Sequence, residues 1–256
     1  MKKCLCVGIN KYGNGNDLQG CIQDVYTMTE IVENHFDFKL VQTLLDEQAT
    51  TANILDKLKW LVDGAKAGDV LMFVYSGHGS QIKCDDGSEE DNLSEIICPV
   101  DLDWDTKIIT DKMLAKIFST LPEGAILYVH SDSCHSQDLL RDIQPVKSKC
   151  LINPNLKARN GIKNRSKIKR LIDYREQKGI LYSGCQDHQT SADAFINNQH
   201  CGAFTWALST TLQDNDYKID NFSLIGLTRQ KLQRAGYEQI PCLDCSRKYF
   251  KTPYMS

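Results

Sequence analysis

Short apolar runs alternate with segments of helical periodicity along most of the chain, and this alternation strongly limits the folds open to it. The apolar runs predict strands at residues 3–9, 39–45, 68–79, 124–134 and 178–185. Helical spacing predicts helices at residues 17–36, 50–65, 110–121, 202–213 and 223–236. A Thr is the expected N-cap of the second, and either Thr110 or Asp111 that of the third. This order predicts an α/β fold, with a mostly parallel central sheet flanked by helices on both faces.

Composition narrows the functional class. The chain has 256 residues, of which 41% are hydrophobic and 25% charged, and its net charge is −3. We therefore expect a soluble protein that binds neither nucleic acid nor membranes, and no apolar run reaches the roughly 20 residues needed to span a bilayer. The odd count of eleven cysteines favours reduced thiols, so a cytoplasmic location is expected.

Two apolar strands end in chemically reactive residues. Residues 70–76 lead into "YSGHGSQ", which contains His78, and residues 125–131 lead into "SDSCHSQ", which contains Cys134. If the two strands are parallel neighbours, they lie about 5 Å apart, and both side chains lie at the same edge of the sheet. A cysteine nucleophile with a histidine base is the chemistry of a covalent hydrolase. The N–H groups of Gly79 and Cys134 would form its oxyanion hole.

A family resemblance rests on six motifs that occur in order along nearly the whole chain. They are "GINKYGNGNDLQGCIQDV", "YSGHGSQ", "EIICPVD", "SDSCHSQ", "SGCQDHQTSADA" and "GAFTWALSTTL". Together they resemble the metacaspases, caspase-like cysteine peptidases of clan CD. The resemblance implies a caspase-hemoglobinase fold, cleavage after Arg or Lys, and a dyad of His78 and Cys134. It also implies one peptidase domain, 1–256, with a large-subunit-like part (1–143), a basic linker (144–177) and a small-subunit-like part (178–256).

The same resemblance implies a pocket for the basic residue on the amino side of the cut bond, the P1 residue. Asp24 and Asp132 match the acids that the family places there, and carboxylates suit an Arg or Lys side chain. Ser183 is expected to line the pocket, and Asp187 and Gln189 to contact substrate. The partners expected are therefore protein or peptide substrates with a basic P1 residue, bound by a monomer.

Calcium activates many members of this family, but the matching acids are depleted here. Glu95 and Asp111 are present, whereas Thr110 and Arg141 stand where acids are expected. Calcium prefers six to eight oxygen ligands with several carboxylates. We therefore expect weak calcium binding or none, and no required cofactor.

The segment 144–177 carries ten lysines and arginines, with no acid between residues 143 and 172. It is either a solvated loop or a substrate for the peptidase itself, and we expect self-cleavage after a Lys or Arg between 147 and 170.

The sequence leaves other interpretations open. One alternative is a caspase-like peptidase with another P1 preference, and a second is a non-catalytic scaffold. A redox or metal protein built on Cys4, Cys6, Cys242 and Cys245 is a third, although the last two also suit a strand.

Overall fold

A twisted six-stranded sheet forms the centre of the computed structural model, which describes residues 1–84, 92–134, 147–156, 179–186 and 189–256. Its six strands comprise four inner strands that are almost entirely buried, as expected of strands covered on both faces, and two edge strands that are more exposed. They are, in chain order, β1 (Lys2–Gly8), β2 (Leu40–Leu45), β3 (Val70–Ser76), β7 (Ile126–Asp132), β9 (Gly179–Ser183) and β12 (Cys242–Cys245).

The spatial order of this sheet is β12-β9-β7-β3-β1-β2. All neighbouring pairs run parallel except β12 with β9. The predicted mostly parallel sheet is therefore confirmed, and the interpretation of Cys242 and Cys245 as part of a strand is correct at its antiparallel edge.

Helices cover both faces of the sheet, as predicted. They are α1 (Cys21–His35), α2 (Thr51–Val62), α3 (Asp111–Phe118), α4 (Ala203–Asp214) and α5 (Asn221–Arg234). The first, fourth and fifth share one buried apolar cluster with the sheet, and the second and third share another. The predicted N-caps are present, since the hydroxyls of Thr50 and Thr110 accept backbone N–H bonds at the starts of α2 and α3.

Helix α1 begins at Cys21, four residues later than helical spacing predicts. The preceding residues are held in a turn because the Asp193 carboxylate accepts the N–H groups of Gln19 and Gly20, at 2.7 and 2.8 Å. A contact between residues so far apart in the chain is not visible in local periodicity.

Two small sheets flank the same edge of the central sheet. One consists of β4 (Gly79–Lys83), β5 (Leu93–Ile97) and β6 (Ile109–Thr110), and the other of β8 (Lys147–Ser148), β10 (Ala192–Ile196) and β11 (Gln199–Gly202). Strands β4 and β5 are not among the predicted strands, because both are short and lack a long apolar run. Among the described helices, none has the length and apolarity needed to cross a membrane.

Candidate active site

The two reactive strand ends lie side by side. Strands β3 and β7 are parallel neighbours with Ser76 opposite Asp132 in register. His78 and Cys134 each follow these partners by two residues, so the topology brings both to one edge of the sheet.

His78 is held through one ring nitrogen. Its Nε2 lies 2.7 Å from the Asn16 carbonyl oxygen, which can only accept, so Nε2 carries the proton in the neutral ring. Nδ1 is buried and has no hydrogen-bond partner among the described residues. Burial lowers the pKa of His78, although the carbonyls of Asn16 and Lys149 oppose this shift. The result is a neutral imidazole with a free nitrogen that can take up a proton.

The Cys134 backbone faces the segment 147–156, whereas its sulfur contacts the backbone of Ser191. The backbone N–H of Ser191 donates to the Cys134 sulfur, and the cysteine is fully buried. The carbonyl oxygen of Lys149 accepts two N–H groups, from Gly79 at 3.0 Å and from Cys134 at 3.3 Å. These are the two amides expected to stabilise an oxyanion, and here they converge on a single peptide carbonyl.

The Lys149 side chain is completely buried in a polar pocket. Its ammonium group lies 2.9 Å from the Asp24 carboxylate, 3.2 Å from the Asp132 carboxylate and 2.9 Å from the Ser76 hydroxyl. Removing an ammonium from water is costly unless opposite charges and hydrogen bonds replace the lost hydration. This pocket supplies both, so it can hold a lysine side chain without water.

Ionisation within the pocket is tightly coupled. Burial raises the pKa of Asp24 to about 6, even though the Lys149 ammonium lowers it. For Lys149 burial acts downward, but the Asp132 and Asp24 carboxylates outweigh it and raise its pKa well above the ordinary value. The ammonium is therefore charged at neutral pH, and Asp24 is the pocket group that protonates on mild acidification.

Gly202 lets these charges approach one another. Its N–H donates to Asp24 at 2.7 Å. A Cβ at this position would overlap an Asp132 oxygen, lie 2.5 Å from the Lys149 ammonium nitrogen and lie 2.6 Å from Asp24. The pocket therefore needs a residue without a side chain here.

The other residues expected at the site are less directly involved. Ser183 is half-buried at the end of β9, where it pairs with Ser131 and Cys242, and it is not among the described residues that bond the Lys149 ammonium. The Gln189 side chain instead bonds backbone groups of Glu238 and Ile240, both at 2.8 Å. Asp187 lies outside the described residues.

The two acids expected to hold calcium lie apart from this pocket, on β5 and at the start of α3. Asp111 accepts the Ser94 hydroxyl at 2.8 Å, and burial raises its pKa. Glu95 is buried near Gln81. Within the described ranges, no group of three His, Cys, Asp or Glu residues could hold a metal ion. Weak calcium binding or none therefore stays a prediction.

Three residues of the site are not singled out by sequence reasoning. Ser76 lies opposite Asp132, so its position could have been inferred from the strand register. Ser191 contacts the Cys134 sulfur and donates its hydroxyl to Asp132 at 2.6 Å, and it lies within the motif "SGCQDHQTSADA". Lys149 is one of ten basic residues in its segment, and nothing local distinguishes it.

Comparison with known proteins identifies the family of this chain. Residues 2–143 match the model of the metacaspase peptidase C14 domain. Metacaspase-1 of Kluyveromyces lactis and of Schizosaccharomyces pombe are each 32% identical to the chain over 96% of its length, and the matches cover 66% and 67% of those proteins. Metacaspase-9 of Arabidopsis thaliana is 31% identical, with 98% of this chain and 95% of that protein covered.

A solved structure supports the fold alone. The crystal structure of protein GSU0716 from Geobacter sulfurreducens superposes with a TM-score of 0.75, covering 100% of this chain and 98% of that one at 22% identity. The domain match and the identities to these relatives, together with a histidine and a cysteine at adjacent strand ends, lead to one assignment. The chain belongs to the metacaspase family of cysteine peptidases.

Proposed function

We propose that the protein is an endopeptidase that cleaves after lysine or arginine with a Cys134–His78 dyad, and that one substrate is its own Lys149–Cys150 bond. A single observation carries the proposal. The Lys149 carbonyl accepts both candidate oxyanion amides while its ammonium fills the acidic pocket. The segment thus has the contacts expected of a bound substrate whose P1 residue is lysine.

The chemistry follows from these positions. The Cys134 sulfur attacks the Lys149 carbonyl carbon, and the resulting oxyanion is stabilised by the N–H groups of Gly79 and Cys134. His78 accepts the thiol proton on Nδ1 and delivers it to the amine of Cys150 as that amine leaves. Water then hydrolyses the thioester and releases the Lys149 carboxylate.

The backbone contacts around Lys149 also support cleavage after this residue. Strand β8 pairs antiparallel with β10, placing Ser148 opposite Ala192, and the Lys149 N–H donates to the Ser191 carbonyl at 3.0 Å. An extended segment held in this way presents one carbonyl to the nucleophile and one side chain to the pocket. The expected cleavage range of 147–170 narrows to one bond among the described residues, while 157–170 lie outside them.

The test is a time course of intact mass on purified chain, with the new amino terminus sequenced. Wild type should give fragments of 149 and 107 residues, roughly 17 and 12 kDa in proportion to length, the second beginning at Cys150. Cys134→Ala should remain at 29.0 kDa, because no covalent route is left.

A matched pair of variants identifies the peptide bond that is cleaved. Lys149→Ala should remove the cut at residue 149, whereas Lys147→Ala should keep it, because Lys147 is exposed and outside the pocket. Cleavage that persists in Cys134→Ala, or wild-type chain that stays intact while hydrolysing lysyl peptides, contradicts self-processing. A peptide panel varying P1 separates this function from the alternatives: equal turnover of P1 Asp contradicts the basic preference, and no turnover at all favours a non-catalytic scaffold.

A further inference from the structure

The segment that follows the proposed cleavage site is bound as closely as the segment before it. The backbone of Gly79, the first residue of β4, donates to the Lys149 carbonyl and accepts the Leu151 N–H at 2.9 Å. A parallel bridge links Gly79 with Cys150. Residues 150 and 151 thus extend the small sheet formed by β4, β5 and β6.

Side chains lengthen this contact along β4. The Ser80 hydroxyl donates to the Leu151 carbonyl at 2.6 Å, and the Asn153 amide donates to the Gln81 carbonyl at 3.0 Å. Ser80 and Asn153 are buried, whereas Ile152 is 50% exposed. Alternate residues face the protein, as in a peptide added to the edge of a sheet.

The opposite edge of β4 is already used. Strand β5 pairs with it antiparallel along its whole length, from Gly79 opposite Ile97 to Lys83 opposite Leu93. The edge that faces the segment 150–153 is therefore the one that can accept an extended peptide. Without a peptide there, the buried Ser80 hydroxyl would lose its acceptor, which is unfavourable.

We propose that the outer edge of β4 is a binding site for the four substrate residues after the cut bond, with the Ser80 hydroxyl donating to the backbone carbonyl of the second of them. The inference rests on the proposed function and extends it. The ligand class is an extended peptide whose second residue after the cut has a free backbone N–H and whose fourth carries a side-chain amide. The site holds the leaving segment in place while the Lys149 carbonyl is attacked.

The deciding experiment compares Leu151→Pro with Leu151→Ala in newly translated chain, following cleavage at Lys149 over time. Both variants lose the leucine side chain, but only proline loses the N–H that bonds Gly79. We expect Leu151→Pro to be cleaved at least fivefold more slowly than Leu151→Ala, since a buried carbonyl is left unpaired. Equal rates overturn the proposal.

Ser80→Ala tests the same site from the enzyme side. Two rates are measured for it and for wild type: self-cleavage, and turnover of a lysyl coumarylamide, which has no residues after the cut. The ratio of self-cleavage to coumarylamide turnover should fall about threefold to tenfold. Loss of both rates in proportion indicates a structural role for Ser80 and overturns the inference.

The coumarylamide also separates the two proposals. Wild-type chain that fails to hydrolyse it contradicts the proposed function, and the inference falls with it. Wild-type chain that hydrolyses it, but whose self-cleavage responds to neither the proline nor the Ser80 substitution, contradicts only the binding site on β4.

Discussion

Lys147 and Lys149 lie two residues apart on one segment and occupy opposite environments. Lys147 is exposed, and its ammonium donates to the Asp17 carbonyl at 2.8 Å. Lys149 is fully buried between two carboxylates and a hydroxyl. Local sequence hardly distinguishes the two lysines, so the difference comes from the residues that the fold gathers around one of them.

The largest expected effect comes from removing charge from the pocket. Asp132→Asn keeps the shape of the side chain but removes the negative charge that faces Lys149. We expect P1 lysine peptides to lose about 2–5 kcal/mol of transition-state stabilisation, which lowers kcat/KM roughly 30-fold to several thousand-fold. Asp214→Asn, on an exposed acid paired with Lys231, should change it little. Similar losses in both variants would mean that overall charge, and not this pocket, selects basic substrates.

Closing the pocket should have a nearly comparable effect. Gly202→Ala would bring a Cβ to 2.5 Å from the position of the Lys149 ammonium nitrogen. We expect at least a tenfold loss of kcat/KM for P1 lysine peptides and slower self-cleavage. Gly226→Ala is the matched control, because a Cβ at that helical position meets nothing within 4 Å. Unchanged lysine turnover in Gly202→Ala would show that the pocket can widen.

The scaffold can be predicted from sequence because it depends on local patterns. The strands β3 and β7 are continuous apolar runs, and the residues that follow them point to His78 and Cys134 from sequence alone. Their adjacency follows from the rules of parallel sheets. The helix caps at Thr50 and Thr110 are likewise local signals.

The lysine that fills the pocket and the serine that contacts it cannot be predicted in this way. The choice of Lys149 depends on the β8–β10 pairing and on Asp24, which is 125 residues away in the chain. Ser76 instead of Ser183 contacts the ammonium because β3, and not β9, places its last residue beside Asp24. Which lysine enters the pocket and which serine contacts it are decided by tertiary packing, which sequence periodicity does not encode.

Stability offers a second way to separate the two lysines. In the Cys134→Ala background, where no cut is expected, Lys149→Ala leaves two buried carboxylates without their cation. We expect the free energy of unfolding to fall by about 2 kcal/mol or more, on the scale of breaking a buried ion pair. Lys147→Ala should change it by less than about 0.5 kcal/mol, as for an exposed side chain. Urea denaturation of both variants measures the difference, and equal values would remove the energetic distinction between the two sites.

The smallest expected effect is on pH dependence. The pKa of Asp24 is raised to about 6 from its ordinary 3.8, so acidification through pH 6 adds a proton and removes one negative charge from the pocket. The KM for P1 lysine peptides should therefore rise severalfold as the pH falls from neutrality to just below this pKa. Because the charged Asp24 is the disfavoured form in the fold, its own contribution to stability becomes more favourable over the same interval. Protonation of Asp24 therefore weakens binding of the P1 residue without itself destabilising the fold.

Separate measurement of kcat and KM distinguishes the titration of Asp24 from that of His78. Protonation of His78, whose pKa is lowered by burial, would reduce kcat at lower pH, whereas protonation of Asp24 is expected to weaken binding of the P1 side chain. Asp24→Asn should raise KM at neutral pH and remove most of its further rise on acidification. If Asp24→Asn keeps the wild-type pH dependence of KM, the titrating group lies elsewhere, and the contrast between Lys149 and Lys147 does not depend on the charge of Asp24.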